Sequence, residues 1–130
     1  MSPSAPWSVC TSSDVDTIVI GWAKSSQRVE RGYAAKFTHF LELLEISGPL
    51  IGAKKIGGVD RLWEYRIGDH RVFFSFADRR RIAVAVIRRK LQGSFPQEVY
   101  QRIASQVQHF VEEVDATGSV GCPGDEEERR

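Results

Sequence analysis

Three period-two runs, joined by connections too short to cross a sheet, constrain the fold of this chain more than any other feature. Leu62-Trp63-Glu64-Tyr65-Arg66-Ile67 is followed by Gly68-Asp69 and then by His70-Arg71-Val72-Phe73-Phe74-Ser75-Phe76. After the polar Asp78-Arg79-Arg80 comes Arg81-Ile82-Ala83-Val84-Ala85-Val86-Ile87-Arg88. Alternation of this kind marks strands with one buried face, and parallel neighbours need a crossover of about a dozen residues or more. The three runs therefore predict a three-stranded antiparallel meander.

A register follows from the turns. With Gly68 and Asp69 as a two-residue loop, Trp63 stands opposite Phe74 and Tyr65 opposite Val72 on a face that reads as core. With Arg79 and Arg80 as the second loop, Ala83, Ala85 and Ile87 stand opposite Phe76, Phe74 and Val72, so that small residues meet large ones. The same register sets Arg66 opposite Arg71 and Arg71 opposite Arg88 on the other face, a row of three arginines across three strands. Like charges directly opposite one another are destabilising by up to roughly 1 kcal/mol, and an anion facing them would explain the row. Alternatively the arginines solvate an open sheet face with Glu64 and Asp69 as partners, and a slip of one residue would dissolve the row.

Helical spacing flanks the meander. Val29, Tyr33, Phe37, Phe40, Leu41 and Leu44 recur on one side of a helix over about 27–46, which Gly48-Pro49 closes. Val99, Ile103, Val107, Phe110, Val111 and Val114 mark a last helix over about 96–114, opened by Pro96. Trp7-Ser8-Val9-Cys10-Thr11 alternates as a short strand. Ser13, three residues ahead of Asp16, resembles a helix cap for 14–24, although Thr17-Ile18-Val19-Ile20 is a β-branched run that suits a strand as well. The expected class is α+β: a short N-terminal strand, two helices, the meander and a C-terminal helix. One domain spans 7–114, between polar ends at 1–6 and 115–130 that read as disordered.

The net charge of +1 conceals an asymmetry. Residues 54–111 hold twelve Lys/Arg against five Asp/Glu, whereas residues 112–130 hold two against seven. The basic middle piece contains the meander, and Arg is favoured over Lys where planar phosphate is bound, because its fork of donors engages two oxygens at once. The acidic run Asp125-Glu126-Glu127-Glu128 reads as a solvated end. Cys10 and Cys122 lie near opposite ends without CxxC spacing or a neighbouring His, which argues against zinc and for two reduced thiols. No apolar stretch is long enough for a membrane span, and the first six residues lack the features of a secretory signal, so a cytoplasmic location is expected. Glycine-rich phosphate loops, HExxH and GxSxG are absent, and neither a cofactor nor a metal is expected.

The order of these elements, with the string 62–74, resembles the RelE/ParE superfamily of toxins, especially its HigB-like, phage-derived branch. The likeness covers about residues 7–112. Lys54-Lys55-Ile56-Gly57-Gly58 resembles the family's lysine- and glycine-containing loop, Leu62-Trp63-Glu64-Tyr65-Arg66 its first strand, and the segment from Arg88 to Pro96 its basic approach to the terminal helix. The resemblance implies a RelE-like fold and the toxin of a type II toxin–antitoxin pair. Its activity would be that of a metal-independent endoribonuclease cutting mRNA at the ribosome, with a cognate antitoxin as partner. A ParE-like inhibitor of DNA gyrase and an inactive RNA-binding relative are the alternatives.

Metal-independent RNA cleavage uses the ribose 2′-OH as nucleophile and needs a base, charge stabilisation at phosphate and an acid for the leaving oxygen. Arg66, Arg71 and Arg88 are assigned to phosphate, and Lys54, Lys55 and Lys90 to supporting cations or a base. His70 is a candidate acid or base through its intrinsic pKa. Tyr100 resembles a tyrosine that family members place over substrate, although core packing explains it equally well. Phe73, on the arginine face, is the candidate for stacking a base, whereas His39 and His109 read as flank residues.

Overall fold

Alternating side chains and tight turns produce the meander, and the apolar stripes of three helices cover it on both faces. The computed structural model describes residues 7–48, 54–55, 61–90, 93, 95–117 and 122–123. The elements run β1 (Ser8–Thr11), α1 (Ser13–Ala23), α2 (Arg28–Ser47), β2 (Lys54–Lys55), β3 (Trp63–Ile67), β4 (His70–Ala77), β5 (Arg81–Arg89) and α3 (Gln97–Ala116). One sheet of order β1-β5-β4-β3-β2 results, with β1 parallel to β5 and every other pair antiparallel.

The alternation divides the core in two. Val72, Phe74, Ile82, Val84 and Ile87 face α1 and α2, where Val15, Trp22, Phe37, Phe40 and Leu44 meet them. Phe73, Ala83 and Ala85 face α3 and pack on Ile103, Val107, Phe110, Val111 and Val114. Burying a side chain of this size contributes roughly 1.5–3 kcal/mol. The α3 stripe therefore holds that helix firmly to the sheet face that carries Phe73, Ala83 and Ala85.

Local chemistry explains most boundaries. The β-branched run 17–20 lies inside α1, whose cap is Ser12 rather than Ser13: the Ser12 side chain accepts from the Val15 N–H at 3.2 Å. α2 ends at Gly48, whose φ of 58° only glycine adopts cheaply and where a Cβ would collide with the Trp7 indole. Val29, expected on the buried stripe of α2, lies in its first turn and is 56% exposed; the buried residues of the helix begin at Phe37. α3 continues to Ala116, where Asp115 Oδ1 accepts from the Asp78 N–H at 2.8 Å and Thr117 Oγ1 receives Arg81 Nη1 at 2.6 Å. Much of 118–130, the first six residues and 56–58 lie outside the described residues.

The β3–β4 hairpin has the expected two-residue loop and register. The β4–β5 hairpin does not. Ala77 pairs with Arg81, so the loop is the three residues 78–80, with Arg79 and Arg80 at φ of 61° and 57°. Phe76 therefore meets Ile82 and Phe74 meets Val84, rather than Ala83 and Ala85. A β-bulge then inserts Ala85, after which Phe73 pairs with Val86, Val72 with Ile87 and Arg71 with Arg88. The longer loop and the bulge each displace the register by one residue in opposite senses, which is why the arginine row survives.

The cysteines are not reduced thiols: Cys10 and Cys122 form a disulfide with a Cα–Cα distance of 5.4 Å across 112 residues of sequence. Cys10 on β1 stands opposite Ala83, on the sheet side that α3 covers, and the chain beyond α3 returns to that edge. Spacing along the sequence carries no trace of such a meeting.

Candidate functional site

The row of arginines forms as the register requires, yet its three members differ in environment. Arg71 is buried at 9% exposure, with Nε 3.2 Å from Glu64 Oε1 and Nη1 donating to the Gly68 and His70 carbonyls at 3.2 and 3.1 Å. Glu64 precedes Arg66 by two positions on β3, which makes it the diagonal neighbour of Arg71 on the same face. The central charge of the row is therefore neutralised internally. Arg66 is exposed and Arg88 half-buried, and among the described residues neither has an ion-pair partner. These two flank the paired Arg71 as available cations.

Tyr100, in the first turn of α3, closes this corner. Its ring packs edge-on against Phe73 and Phe95, with centroids 6.3 and 5.6 Å apart. Burial raises the phenol pKa above its ordinary 10.0, and the Glu64 carboxylate adds to the effect, against the Phe95 backbone hydrogen bond and the Arg71 charge. At neutral pH the hydroxyl is thus a firmly protonated donor beside the Glu64–Arg71 pair.

Lys90 sits at the end of β5, where its backbone N–H donates to the Asp69 carbonyl at 2.7 Å and ties β5 to the β3–β4 turn. Lys54 and Lys55 form β2, with Lys54 opposite Glu64 and Lys55 opposite Trp63. The remainder of the lysine- and glycine-containing loop, residues 56–58, lies outside the described residues. Most of the segment 91–95 does as well.

His70 is not brought together with the row. By alternation it shares the face of Val72, and its ring meets Trp22 and Tyr33 at centroid distances of 4.9 and 5.2 Å. Burial, then the Arg89 charge, hold it below the ordinary 6.5 against Asp69 and Glu30, and its buried Nδ1 has no hydrogen-bond partner among the described residues. Phe73 is fully buried beneath α3 and unavailable to stack a base. The basic charge is also more divided than the sequence suggests. Arg79, Arg80 and Arg81 lie at the opposite end of the sheet, with Arg80 5.6 Å above the Trp7 ring and Arg81 buried, its Nε donating to the Asp78 carbonyl.

A groove of ≈ 890 Å³ opens beside the row, between the start of α1, the second half of β5 and α3. Arg88 lines both it and the row, and Arg102 faces it from α3. The groove was not anticipated, and Glu64, expected as an arginine partner on an open solvated face, pairs with Arg71 in a nearly buried position instead. The pairing was accessible, because the register that makes the row also makes Glu64 the neighbour of Arg71.

Searches against protein-family models and curated proteins find no match. Among solved structures, the chain is similar to a chain of the archaeal RelE–RelB complex from Pyrococcus horikoshii OT3. The two share 17% identity and a TM-score of 0.51, over 68% of this chain and 99% of that one. The fold is RelE-like. Among the described residues no helix is long and apolar enough to cross a membrane.

Proposed function

We propose that this chain is the toxin of a toxin–antitoxin pair and cleaves mRNA at the ribosome without a metal. The observation that carries the reading is Arg66 and Arg88, without an ion-pair partner among the described residues, on either side of a neutralised Arg71, with the protonated Tyr100 hydroxyl at the same corner. A scissile phosphate seated there would receive donors from both of these arginines. A base, assigned to Lys54 with Lys55 and Lys90 as supporting cations, takes the 2′-OH proton. The 2′-oxygen bonds to phosphorus, the bond to the 5′-oxygen breaks, and Tyr100 supplies the proton that leaves with it. The products are a 2′,3′-cyclic phosphate and a 5′-hydroxyl end. Arg71 acts by positioning the sheet, and His70 serves the aromatic packing of the opposite face.

The similarity to a chain of a RelE–RelB complex supports a cognate antitoxin as partner, and the HigB-like affiliation belongs to the same proposal. A cytoplasmic location does too. Thiol pools there disfavour disulfides, so alkylation of Cys10 and Cys122 in fresh extracts bears directly on it. The decisive experiment induces the chain and maps message 5′ ends. Codon-phased cuts that vanish in Arg66→Ala/Arg88→Ala, with the folded spectrum retained, are expected. Intact messages with DNA damage would overturn the reading in favour of a gyrase inhibitor.

A further inference from the structure

The groove beside Arg88 exists because β1 is short. β1 ends at Thr11 opposite Val84, whereas β5 continues to Arg89, so among the described residues no strand pairs with the outer edge of β5 beyond Val84. The start of α1 and one face of α3 wall the gap. Arg88 belongs to the arginine row and to the groove at once. A strand of RNA held at the row therefore has an adjoining recess for its next nucleotide.

The charges that line this recess are segregated. α3 runs antiparallel to β5, because its end meets the start of β5 where Thr117 Oγ1 receives Arg81 Nη1. Arg102, in the second turn of α3, therefore stands at the Arg88 end, and Glu113 stands eleven positions on, about 16 Å along the axis. Asp14 lies at the far end too, since Ser12 bonds the Ala85 carbonyl, three strand residues and about 10 Å short of Arg88. Among the described residues neither Arg102 nor Asp14 has an ion-pair partner, and Glu113 engages one oxygen with His109 Nε2 at 3.1 Å. Ile18 and Phe110 add apolar surface.

The carboxylates refuse a polyanion laid along the groove, and the arginines refuse a polycation. A single nucleotide has the complementary order: an anionic phosphate, a flat base with apolar faces and, where the base carries an exocyclic amino group, donors at the far edge. We infer that the groove is a nucleotide subsite that selects bases bearing such an amino group. Arg88 and Arg102 hold the phosphate, and Asp14 and Glu113 accept from the amino group. Uracil turns a carbonyl toward the same carboxylates, and two facing acceptors have no proton to share. The inference rests on the reading of the row as an RNA site and concerns the nucleotide beside the scissile phosphate.

Mononucleotide pairs that differ in the amino group provide the test: 5′-CMP against 5′-UMP, and 5′-GMP against 5′-IMP, titrated into the full chain and followed by ¹⁵N–¹H correlation spectra. The amino-bearing member of each pair is expected to bind at least about tenfold more tightly, with shifts at the amides of Asp14, Arg102 and Glu113. Asp14→Asn/Glu113→Gln should abolish or reverse the preference, since an amide can turn its donor toward a carbonyl. Arg102→Ala should weaken all four nucleotides alike. Equal affinities within both pairs, or shifts confined to Arg66, Tyr100 and their neighbours, overturn the proposal. The cleavage reading fails separately: intact messages on induction beside the expected preference would remove the nuclease and keep the subsite, whereas codon-phased cuts beside equal affinities would do the reverse.

Discussion

Replacing Arg71 should unfold more of this protein than it disables. Its guanidinium and the Glu64 carboxylate are 10% and 11% exposed, the pair stands at 3.2 Å, and two turn carbonyls take further donors from Nη1. Arg71→Ala deprives a nearly buried carboxylate of the one ion-pair partner it has among the described side chains. Breaking a buried pair from one side costs roughly 3–5 kcal/mol, because the charge left behind remains desolvated. For a chain of this length that corresponds to a fall in Tm of the order of 10–20 °C. Arg66→Ala, at an exposed position, should stay within about 0.5 kcal/mol of the wild type. The double variant Arg71→Leu/Glu64→Leu removes both charges and should recover most of the loss. Urea and thermal unfolding followed by circular dichroism measures all three. Equal, small losses in Arg71→Ala and Arg66→Ala would refute the anchoring role and return Arg71 to the ligand-facing set.

Three further outcomes are expected. His70 is held neutral, its folded pKa below the unfolded value of about 6.5, so its contribution is present above that value and lost as pH falls through the lowered folded pKa. Stability measured from pH 7 to 4 should therefore decline less in His70→Phe than in the wild type, and parallel curves would remove His70 as a cause. Gly68→Ala, at φ 57° with a Cβ that collides with the Tyr33 ring, should cost more than about 1 kcal/mol. A neutral result in chemical denaturation would show that the hairpin relaxes away from Tyr33. Cys122→Ser should lower stability by up to about 4–5 kcal/mol, since the bond closes a loop of 112 residues. Identical unfolding midpoints for the wild type with and without dithiothreitol would show that the bond does not form in solution.

What the sequence disclosed here was local. The 62–76 alternation and its Gly68-Asp69 turn determine strands, register and faces within fifteen residues, and the α3 stripe is equally self-contained. What it concealed was contact between distant segments. Nothing in Ser8–Thr11 announces a parallel partner in β5, and nothing near Cys10 announces Cys122. The Arg79-Arg80 loop misled because nothing in Asp78-Arg79-Arg80 separates a two-residue from a three-residue turn. The pairing of Ala77 with Arg81 shows that the loop has three, and the bulge at Ala85 restores the register beyond it.

That bulge links the two halves of the site. Ser12 uses one hydroxyl twice: its oxygen accepts from Val15 N–H to start α1, and its proton goes to the Ala85 carbonyl. The start of α1 is thereby coupled to the point where β5 regains the register that sets Arg88 opposite Arg71. Were the same residues paired without the bulge, Arg88 would stand opposite His70 and its side chain would turn toward the α1 and α2 face, while Ile87 would turn away from it. The placement of the half-buried cation thus depends on an irregularity rather than on the alternation around it. Irregularities of this kind are common beside functional sites, where they re-aim a side chain. The row is therefore two available arginines around a structural one, held in step by a bulge that a helix cap supports.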